Sequence, residues 1–131
     1  MLGVNIGEAS ALKMCYSAYS KGTTALLSAI LATAETWGVR EALYDQWAEG
    51  DANFATRTQE RIQRSLGKAW RFVGEMEEIS ATFSDVGMPG GFHAAAADVY
   101  RRLARFKDAR TAPTLNDVLD ALRQTEDQSR R

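Results

Sequence analysis

Cysteine, histidine and proline are scarce in this sequence. Among 131 residues there are one cysteine, one histidine and two prolines. The single cysteine, Cys15, has no partner for an internal disulfide, which suits a reducing compartment, and we expect it to be a small core residue. One histidine and one cysteine do not supply the clustered ligands that a transition metal requires, so no metal site is predicted.

The chain also lacks an excess of charge of either sign and any long apolar run. Sixteen basic and 17 acidic residues leave a net charge of −1, without the dense positive patch that a nucleic-acid backbone requires. The longest uncharged part of the first helical segment, 22–34, is short of the roughly 20 residues that span a bilayer. No signal peptide is evident at the N-terminus. The sequence therefore predicts a cytoplasmic protein that contacts neither nucleic acid nor membrane.

Strand alternation and the common glycine-rich motifs are absent as well. No segment alternates apolar and polar residues, and neither a phosphate-binding loop nor a G-x-S-x-G motif occurs. Helical periodicity runs through most of the chain instead. We predict an all-α fold, with residues 1–124 forming one multi-helical domain around a long central helix and residues 125–131 forming a polar tail.

The longest helical pattern covers residues 7–37. Placing its residues at 100° steps creates an apolar side that is predicted to face the core. That side consists of Leu12, Cys15, Tyr19, Leu26, Ile30 and Trp37. The opposite side carries small hydroxyl residues and one lysine, and consists of Ser10, Lys13, Ser17, Ser20, Thr24 and Ser28.

The rest of the chain predicts shorter helices separated by glycine. Helical spacing covers residues 39–49, 54–66, 68–86 and 92–107, and the third of these segments is expected to be a major core helix. Its inward residues are predicted to be Trp70 or Ala69, followed by Phe72, Val73, Met76, Ile79 and Phe83. Asp51 and Asn53 are candidate N-caps, and Thr114 with Asp117 resembles a capping box that opens a last helix.

The order of several motifs resembles a known family. Gly7-x-x-Ser10-x-x-Lys13 opens the long helix, Lys68 opens a later one, and Gly87-x-Pro89 follows it. This arrangement is similar to the C-terminal domain of β-hydroxyacid dehydrogenases, which include 3-hydroxyisobutyrate dehydrogenases and are related to 6-phosphogluconate dehydrogenases. The runs ASALKMCYSAYSKG and GEMEEI resemble an NAD(P)-dependent, phosphogluconate-dehydrogenase-like branch. The resemblance extends from about residue 3 to about residue 122.

The resemblance implies roles for individual residues. Lys13 takes the place of the family's general acid/base, and an amine that packing desolvates exchanges protons more readily near neutral pH. Ser10 and Ser17 are implied substrate contacts, although Ser17 replaces the usual asparagine. Ser20 stands where 6-phosphogluconate dehydrogenases have a glutamate, which argues against phosphogluconate as the substrate. His93, after a Pro-Gly-Gly turn, is a further candidate substrate contact.

The resemblance also implies a cofactor and partners. Family members bind NAD or NADP mainly through an N-terminal Rossmann domain, which this chain lacks, so we expect the chain alone to be inactive. Lys68 is a candidate cofactor contact, but it begins Lys68-Ala69-Trp70 where the family has K-D-L. A small-molecule substrate, the protein's own Rossmann domain and a second copy in a homodimer are the implied partners.

Each assignment has a simpler alternative. Lys13 can be a surface lysine whose stem packs while its amine reaches water, and the hydroxyl residues can be a close-packing helix face. His93 can be a capping or packing histidine. The glutamates at 75, 77 and 78 can form a solvated face, with Glu75 able to turn inward. A helical protein-interaction module, or an imine or ketone reductase domain on the same scaffold, stays open beside the hydroxyacid dehydrogenase.

Overall fold

The computed structural model describes residues 6–123, and the predicted polar tail lies outside them. Six α-helices follow one another: α1 (Ile6–Thr36), α2 (Arg40–Gly50), α3 (Phe54–Ser65), α4 (Ala69–Asp85), α5 (Gly91–Leu103) and α6 (Leu115–Arg123). Two short 3₁₀ turns, Leu66–Lys68 and Ala104–Phe106, follow α3 and α5. Because residues 6–123 contain no strand, the predicted all-α fold class is confirmed.

Helix α1 is the element around which the others pack. It contacts all five other helices, while α4 and α5 form the most extensively packed pair. Large side chains from five helices are fully buried around it, namely Leu31, Ile62, Met76, Ile79, Tyr100, Leu103, Val118 and Leu119. Complete burial of one such aliphatic side chain contributes about 1.5–3 kcal/mol, so this cluster is the main stabilising feature of the fold.

The prediction of which side of α1 faces the core is wrong. Leu12, Tyr19 and Trp37 are respectively 69%, 70% and 77% exposed, and Cys15 is exposed rather than part of the core. The buried side carries mainly small residues and hydroxyls, with Leu27 and Leu31 in its second half: Ser17, Thr24, Ala25, Leu27, Ser28, Leu31, Ala32 and Ala34. Small residues let neighbouring helices approach the α1 backbone closely, which favours this side for packing.

The buried hydroxyls of α1 do not oppose this packing. Thr24 Oγ1 donates to the Ser20 carbonyl at 3.1 Å, and Ser28 Oγ donates to the Thr24 carbonyl at 2.8 Å. Burial of a hydroxyl is costly only when its hydrogen bond is lost, and here each bond stays within the helix. The alternative interpretation of these hydroxyl residues as a close-packing helix face therefore holds at Thr24 and Ser28, and Ser17 is buried as well.

The choice left open at the start of α4 is settled by the structure. Ala69 is completely buried, whereas Trp70 is 44% exposed and has the Lys107 amine 4.2 Å from its ring centroid. The 3₁₀ turn Leu66–Lys68 directly precedes α4, whose first residue, Ala69, is turned inward. Trp70 is thus a surface residue.

The helix ends agree in part with the sequence signals. The capping box is confirmed, since the Asp117 amide donates to Thr114 Oγ1 at 3.1 Å and the Thr114 amide donates to Asp117 Oδ2 at 2.9 Å. Asn53 occupies the N-cap position of α3 but makes no side-chain capping bond. Asp51 Oδ1 instead accepts from the Asn53 amide at 3.0 Å, so both residues shape the turn before α3.

The turn between α4 and α5 requires glycine at position 90 for lack of space. A Cβ added to Gly90 would lie 2.6 Å from Ser84 Oγ and 2.8 Å from the Ser80 carbonyl oxygen. Ser80 Oγ also donates to the Gly90 carbonyl at 2.8 Å, which holds the turn against α4. The neighbouring Gly91 has open space where its Cβ would be.

We expect Gly90→Ala to destabilise the fold by about 1–3 kcal/mol, the usual cost of overpacking. The carbonyl of Ser80 belongs to α4 and cannot move without distorting that helix. Gly91→Ala is the matched control, because it adds the same methyl group at the first residue of α5 without a clash. Urea denaturation of both variants measures the difference, and equal midpoints would contradict the steric argument.

Candidate functional site in the groove between α1 and α4

Helices α1 and α4 run antiparallel along one side of the molecule. Lys21 pairs with Glu75, and the Thr82 hydroxyl lies 2.9 Å from the Met14 sulfur. Moving backward along α1 from Lys21 to Met14 therefore corresponds to moving forward along α4 from Glu75 to Thr82, as in any antiparallel pair. This register determines which side chains of the two helices meet.

A groove of about 450 Å³ lies between these helices, within the size range of small-molecule sites. Its α1 wall consists of Ser10, Lys13, Met14, Ser17 and Lys21. Its α4 wall consists of Arg71, Phe72, Glu75, Glu78 and Ile79. Both sets repeat at three- and four-residue spacing, so each wall is one face of its helix. We refer to this feature as the Lys13 groove.

An ion pair joins the two walls in the middle of the Lys13 groove. The Lys21 amine lies 2.9 Å and 3.0 Å from the two carboxylate oxygens of Glu75, and 4.7 Å from the ring centroid of Phe72. Both charged side chains are about one-third exposed, so the pair contributes at most about 1 kcal/mol to stability. Glu75 has thus turned inward, while Glu77 and Glu78 are exposed.

Lys21 was not singled out by sequence reasoning. A signal was present, because residues 13, 17 and 21 lie one helical turn apart on the same face of α1. The partner of Lys21 is 54 positions away along the chain, so only the fold shows that its amine is already occupied.

The predicted site residues on α1 occupy the Lys13 groove in different ways. Ser10 and Lys13 are exposed, as are all residues from 7 to 13, whereas Ser17 is 6% exposed. Within residues 6–123, Lys13 makes no ion pair or side-chain hydrogen bond. The packed, desolvated environment expected for its amine is therefore not provided by the described part of this chain.

Two side chains, Tyr100 and Arg61, hold α1 in place behind the groove. Tyr100 Oη donates to the Lys21 carbonyl at 2.6 Å, and burial raises the pKa of the Tyr100 phenol, so the hydroxyl remains a proton donor at neutral pH. Arg61 donates from Nε to Thr24 Oγ1 and from a terminal nitrogen to the Ser20 carbonyl, both at 2.7 Å. These contacts fix the rotation of α1 that presents Lys13 and Ser17 to the groove.

His93 lies outside the Lys13 groove. It is 7% exposed, its Nε2 lies 3.0 Å from the Ala18 carbonyl oxygen, and its ring meets Phe83 edge-on at 4.9 Å. Gly22 makes this approach possible, because a Cβ there would lie 2.8 Å from Nε2. The structure therefore places His93 as a packing residue between α1 and α5, with Nδ1 buried and without a partner among the described residues.

Lys68 also lies outside the groove. It is the last residue of the 3₁₀ turn before α4 and is exposed. The structure thus brings Ser10, Lys13 and Ser17 together with Arg71 and the residues that follow it on α4, and it leaves His93 and Lys68 elsewhere.

Large apolar side chains on α1 are exposed to solvent. Leu12, Tyr16, Tyr19, Leu26 and Trp37 are each at least 60% exposed, and together they form what we call the α1 stripe. Beside the stripe, an apolar cleft of about 270 Å³ lies between α1 and α5, and Phe92 contributes an exposed ring to its edge. This surface is unlike the Lys13 groove, whose walls carry charges and hydroxyls.

The described residues lack two further features. No group of three or more histidine, cysteine, aspartate or glutamate side chains is arranged to hold a metal ion within residues 6–123. None of the helices in the same range has the length and apolar content needed to cross a bilayer.

The fold and the groove define an all-α domain that presents a charged, hydroxyl-lined groove on one side of a long helix. The chain belongs to the family described as a domain of unknown function, DUF1932, which matches residues 34–103, more than half of the chain. The matched segment contains Arg71 and Glu75 but ends short of Ser10 and Lys13 on the N-terminal side. No curated protein matches the chain, and no solved structure matches it.

Proposed function

We propose that this chain is the substrate-binding and dimerisation domain of an NAD(P)-dependent oxidoreductase that acts on a small hydroxyacid or a related carbonyl compound. The observation that carries the proposal is the Lys13 groove, where Lys13, which forms no ion pair among the described residues, and the hydroxyls of Ser10 and Ser17 line one cavity. The family is known as the C-terminal helical domain of 6-phosphogluconate dehydrogenase-like proteins, which agrees with the motif resemblance.

Lys13 has the chemistry of the proton-transfer group in such a reaction. Its amine, in the neutral form, accepts the proton of a substrate hydroxyl, and in the reverse direction its ammonium returns a proton to the carbonyl oxygen. The Ser17 hydroxyl can donate to or accept from the same substrate oxygen, which orients it towards Lys13. Ser10, one turn before the lysine, offers a second hydroxyl contact at the open end of the groove.

The residues present fit a nicotinamide cofactor only as one wall of a shared cleft. When bound, the nicotinamide supplies the hydride acceptor or donor. Lys13 is exposed and forms no ion pair within the described part of the chain, so the open side of the groove can face a cofactor. The described residues include no glycine-rich loop that would hold its phosphates. NAD or NADP would thus be held by a Rossmann domain that covers the groove, which would also supply the desolvation that Lys13 lacks in this chain.

The test is a turnover assay on a protein that joins this chain to its Rossmann domain. We expect oxidation of at least one small hydroxyacid with NAD or NADP, followed by nicotinamide absorbance, and no turnover by the 131-residue chain alone. The assay of this chain alone tests whether both halves of the cleft are needed for turnover. Absence of turnover across a broad panel of hydroxyacids with both cofactors would contradict the proposal.

The proposed partner of the α1 stripe is a second copy of the chain. A helix with large apolar side chains on its outer side needs a covering surface, and an interface related by a two-fold axis supplies one. The stripe extends from Leu12 to Trp37, about 38 Å at 1.5 Å per residue, which is long enough for an extended helix-helix contact. The clefts beside it, lined by small residues such as Ala18 and Ala29, can receive the side chains of the other copy.

A protein-interaction module is the second candidate function, and the same exposed stripe is the observation that favours it. An amphipathic partner helix could use the α1 stripe and the adjacent apolar cleft. That function gives no reason for Lys13 to share a cavity with Ser10 and Ser17. An imine or ketone reductase is the third candidate, and the presence of Lys13 favours hydroxyacid chemistry over it.

A further inference from the structure

We propose that three side chains, Arg61, His93 and Tyr100, are positioning residues that set where Lys13 lies in the groove, although within residues 6–123 none of them hydrogen-bonds to it. We call these three side chains the α1 clamp. The inference deepens the proposed function, on which it rests for the role of Lys13. Neither the motif resemblance nor the family description assigns a positioning role to any of the three.

The N-terminal section of α1, which carries Lys13, has little packing of its own. Every residue from 7 to 13 is exposed. The first side chains that pack against the rest of the domain are those of Met14, which is half-buried, and Ser17, which is 6% exposed. Lys13 therefore lies on a section of helix that extends beyond the core, and its location depends on how the following turn is held.

That following turn, residues 18–21, is held by hydrogen bonds from outside the helix. Three of its four backbone carbonyls accept a bond from the α1 clamp: Ala18 from His93 Nε2 at 3.0 Å, Ser20 from Arg61 at 2.7 Å, and Lys21 from Tyr100 Oη at 2.6 Å. A carbonyl within a helix already accepts from the amide four residues later, so a second donor is not needed to satisfy it. The additional bonds instead fix this turn relative to other helices.

The clamp bonds reach α1 from different directions. At 100° per residue, the carbonyls of residues 18, 20 and 21 spread over about 160° of the helix circumference. Arg61 belongs to α3, whereas His93 and Tyr100 belong to α5. On α4, Glu75 holds the Lys21 side chain of the same turn. Contacts from three helices therefore oppose both rotation of α1 about its axis and displacement along it.

The local sequence of α1 makes these contacts possible. A Cβ at Gly22 would lie 2.8 Å from His93 Nε2, so glycine at this position lets the imidazole reach the Ala18 carbonyl. Because a carbonyl oxygen only accepts, Nε2 carries the proton of that bond. Thr24 Oγ1 accepts from Arg61 Nε at 2.7 Å and thus directs the guanidinium towards the helix.

A small change at the clamp becomes a larger change at the Lys13 amine. An amine about 6 Å from the helix axis moves by about 1 Å when the helix rotates by about 10°. A misplacement of about 1 Å in a reacting group can lower the rate about a hundredfold. The α1 clamp therefore controls turnover without touching the substrate.

Two variants remove clamp bonds and keep most of the packing. Tyr100→Phe removes only the hydroxyl and keeps the buried ring, and Arg61→Leu removes both guanidinium bonds. Tyr44→Phe is the matched control for the first, because its hydroxyl bonds to side chains of α2 and α3 only. Arg64→Leu is the control for the second, since Arg64 is exposed in the last turn of α3.

Methionine methyl NMR of the 131-residue chain reports the position of α1. Met14 lies on the α1 wall of the groove with its sulfur 2.9 Å from the Thr82 hydroxyl, whereas Met76 is completely buried in the core. We expect both clamp variants to shift the Met14 methyl signal and weaken its NOE to Thr82, while the Met76 signal stays at its wild-type position. Both controls should leave the two signals unchanged.

Kinetics test the consequence for turnover, in the protein that joins this chain to the proposed Rossmann domain. We expect Tyr100→Phe and Arg61→Leu each to lower kcat at least about tenfold, because Lys13 is displaced from its reacting position. KM should stay within a few-fold of the wild type, since the groove walls that hold the substrate keep their side chains. Both control variants should turn over as the wild type does.

Three outcomes would overturn the proposal: an unchanged Met14 signal in both clamp variants, equal displacement of the Met14 and Met76 signals, or a raised KM with unchanged kcat. The second outcome would show only a general loosening of the fold. Failure of the proposed function is distinguishable from these, because the methyl signals are read without substrate or cofactor. Turnover that depends on Lys13 but not on Arg61 or Tyr100 would keep the dehydrogenase and reject the clamp.

Discussion

Replacing Lys13 with methionine, in a protein that joins this domain to the proposed Rossmann domain, should lower kcat by about 10² to 10⁴, the usual contribution of general acid/base catalysis. Folding should be unaffected, because Lys13 is exposed and makes no side-chain contact with a charged group in the described residues. Substrate affinity should change much less than kcat, since the substrate is held mainly by the rest of the groove. Steady-state kinetics and thermal melting measure these quantities.

Two further variants separate proton transfer from simple charge. Lys13→Arg keeps the positive charge, but a guanidinium does not release its proton near neutral pH, so kcat should fall as it does with methionine. Lys107→Met removes an exposed lysine that packs on Trp70, away from the groove, and should keep kcat within a few-fold of the wild type. If Lys13→Arg retains full turnover, Lys13 supplies at most charge and its catalytic role has to be abandoned.

Leu26→Asp should convert the proposed dimer to a monomer at tens of micromolar protein. We expect it to raise the dissociation constant of the dimer at least about a hundredfold. Leu26 lies near the middle of the α1 stripe and is 60% exposed, so an aspartate there disturbs no core contact within the chain. In a dimer the same position would be buried against the other copy, and an unpaired carboxylate in an apolar interface is strongly unfavourable. Light scattering measures the mass of wild type and variant.

Val86→Asp is the control for this prediction. Val86 follows the last residue of α4, is 71% exposed and lies off the α1 stripe, so the same kind of charge should leave the mass unchanged. A wild-type chain that scatters as a monomer would refute the dimer directly. Equal dimerisation of wild type and Leu26→Asp would show that copies associate through a different surface.

The helices and their ends could be predicted from the sequence because their signals are local. The capping box of Thr114 and Asp117 is confirmed, and so are the all-α class and the turn at Gly87, whose φ of +81° favours glycine. Each of these features depends on a few neighbouring residues and on the period of the helix. The same locality explains why Ser10, Lys13 and Ser17 could be placed on one face of α1.

Local sequence patterns could not predict which side of α1 is buried or which helix forms the second wall of the groove. Apolar size predicted that Leu12, Tyr19 and Leu26 face the core, whereas the structure buries Thr24 and Ser28. A helix with both a small-residue side and a large apolar side has two surfaces that favour burial. Which one the rest of the domain covers depends on how closely the other helices can approach, and a single-helix pattern does not contain that quantity.

The sequence by itself determined where the helices lie and that the lysine motif shares a face with two serines, because a period of 3.6 residues relates positions within one helix. Only the tertiary structure decided that Lys21 pairs with Glu75, while Lys13 and Arg71, which form no ion pair within residues 6–123, lie at opposite ends of a groove. Those relations join residues more than 50 positions apart. They follow from the antiparallel register of α1 and α4, which the packing of the whole domain sets.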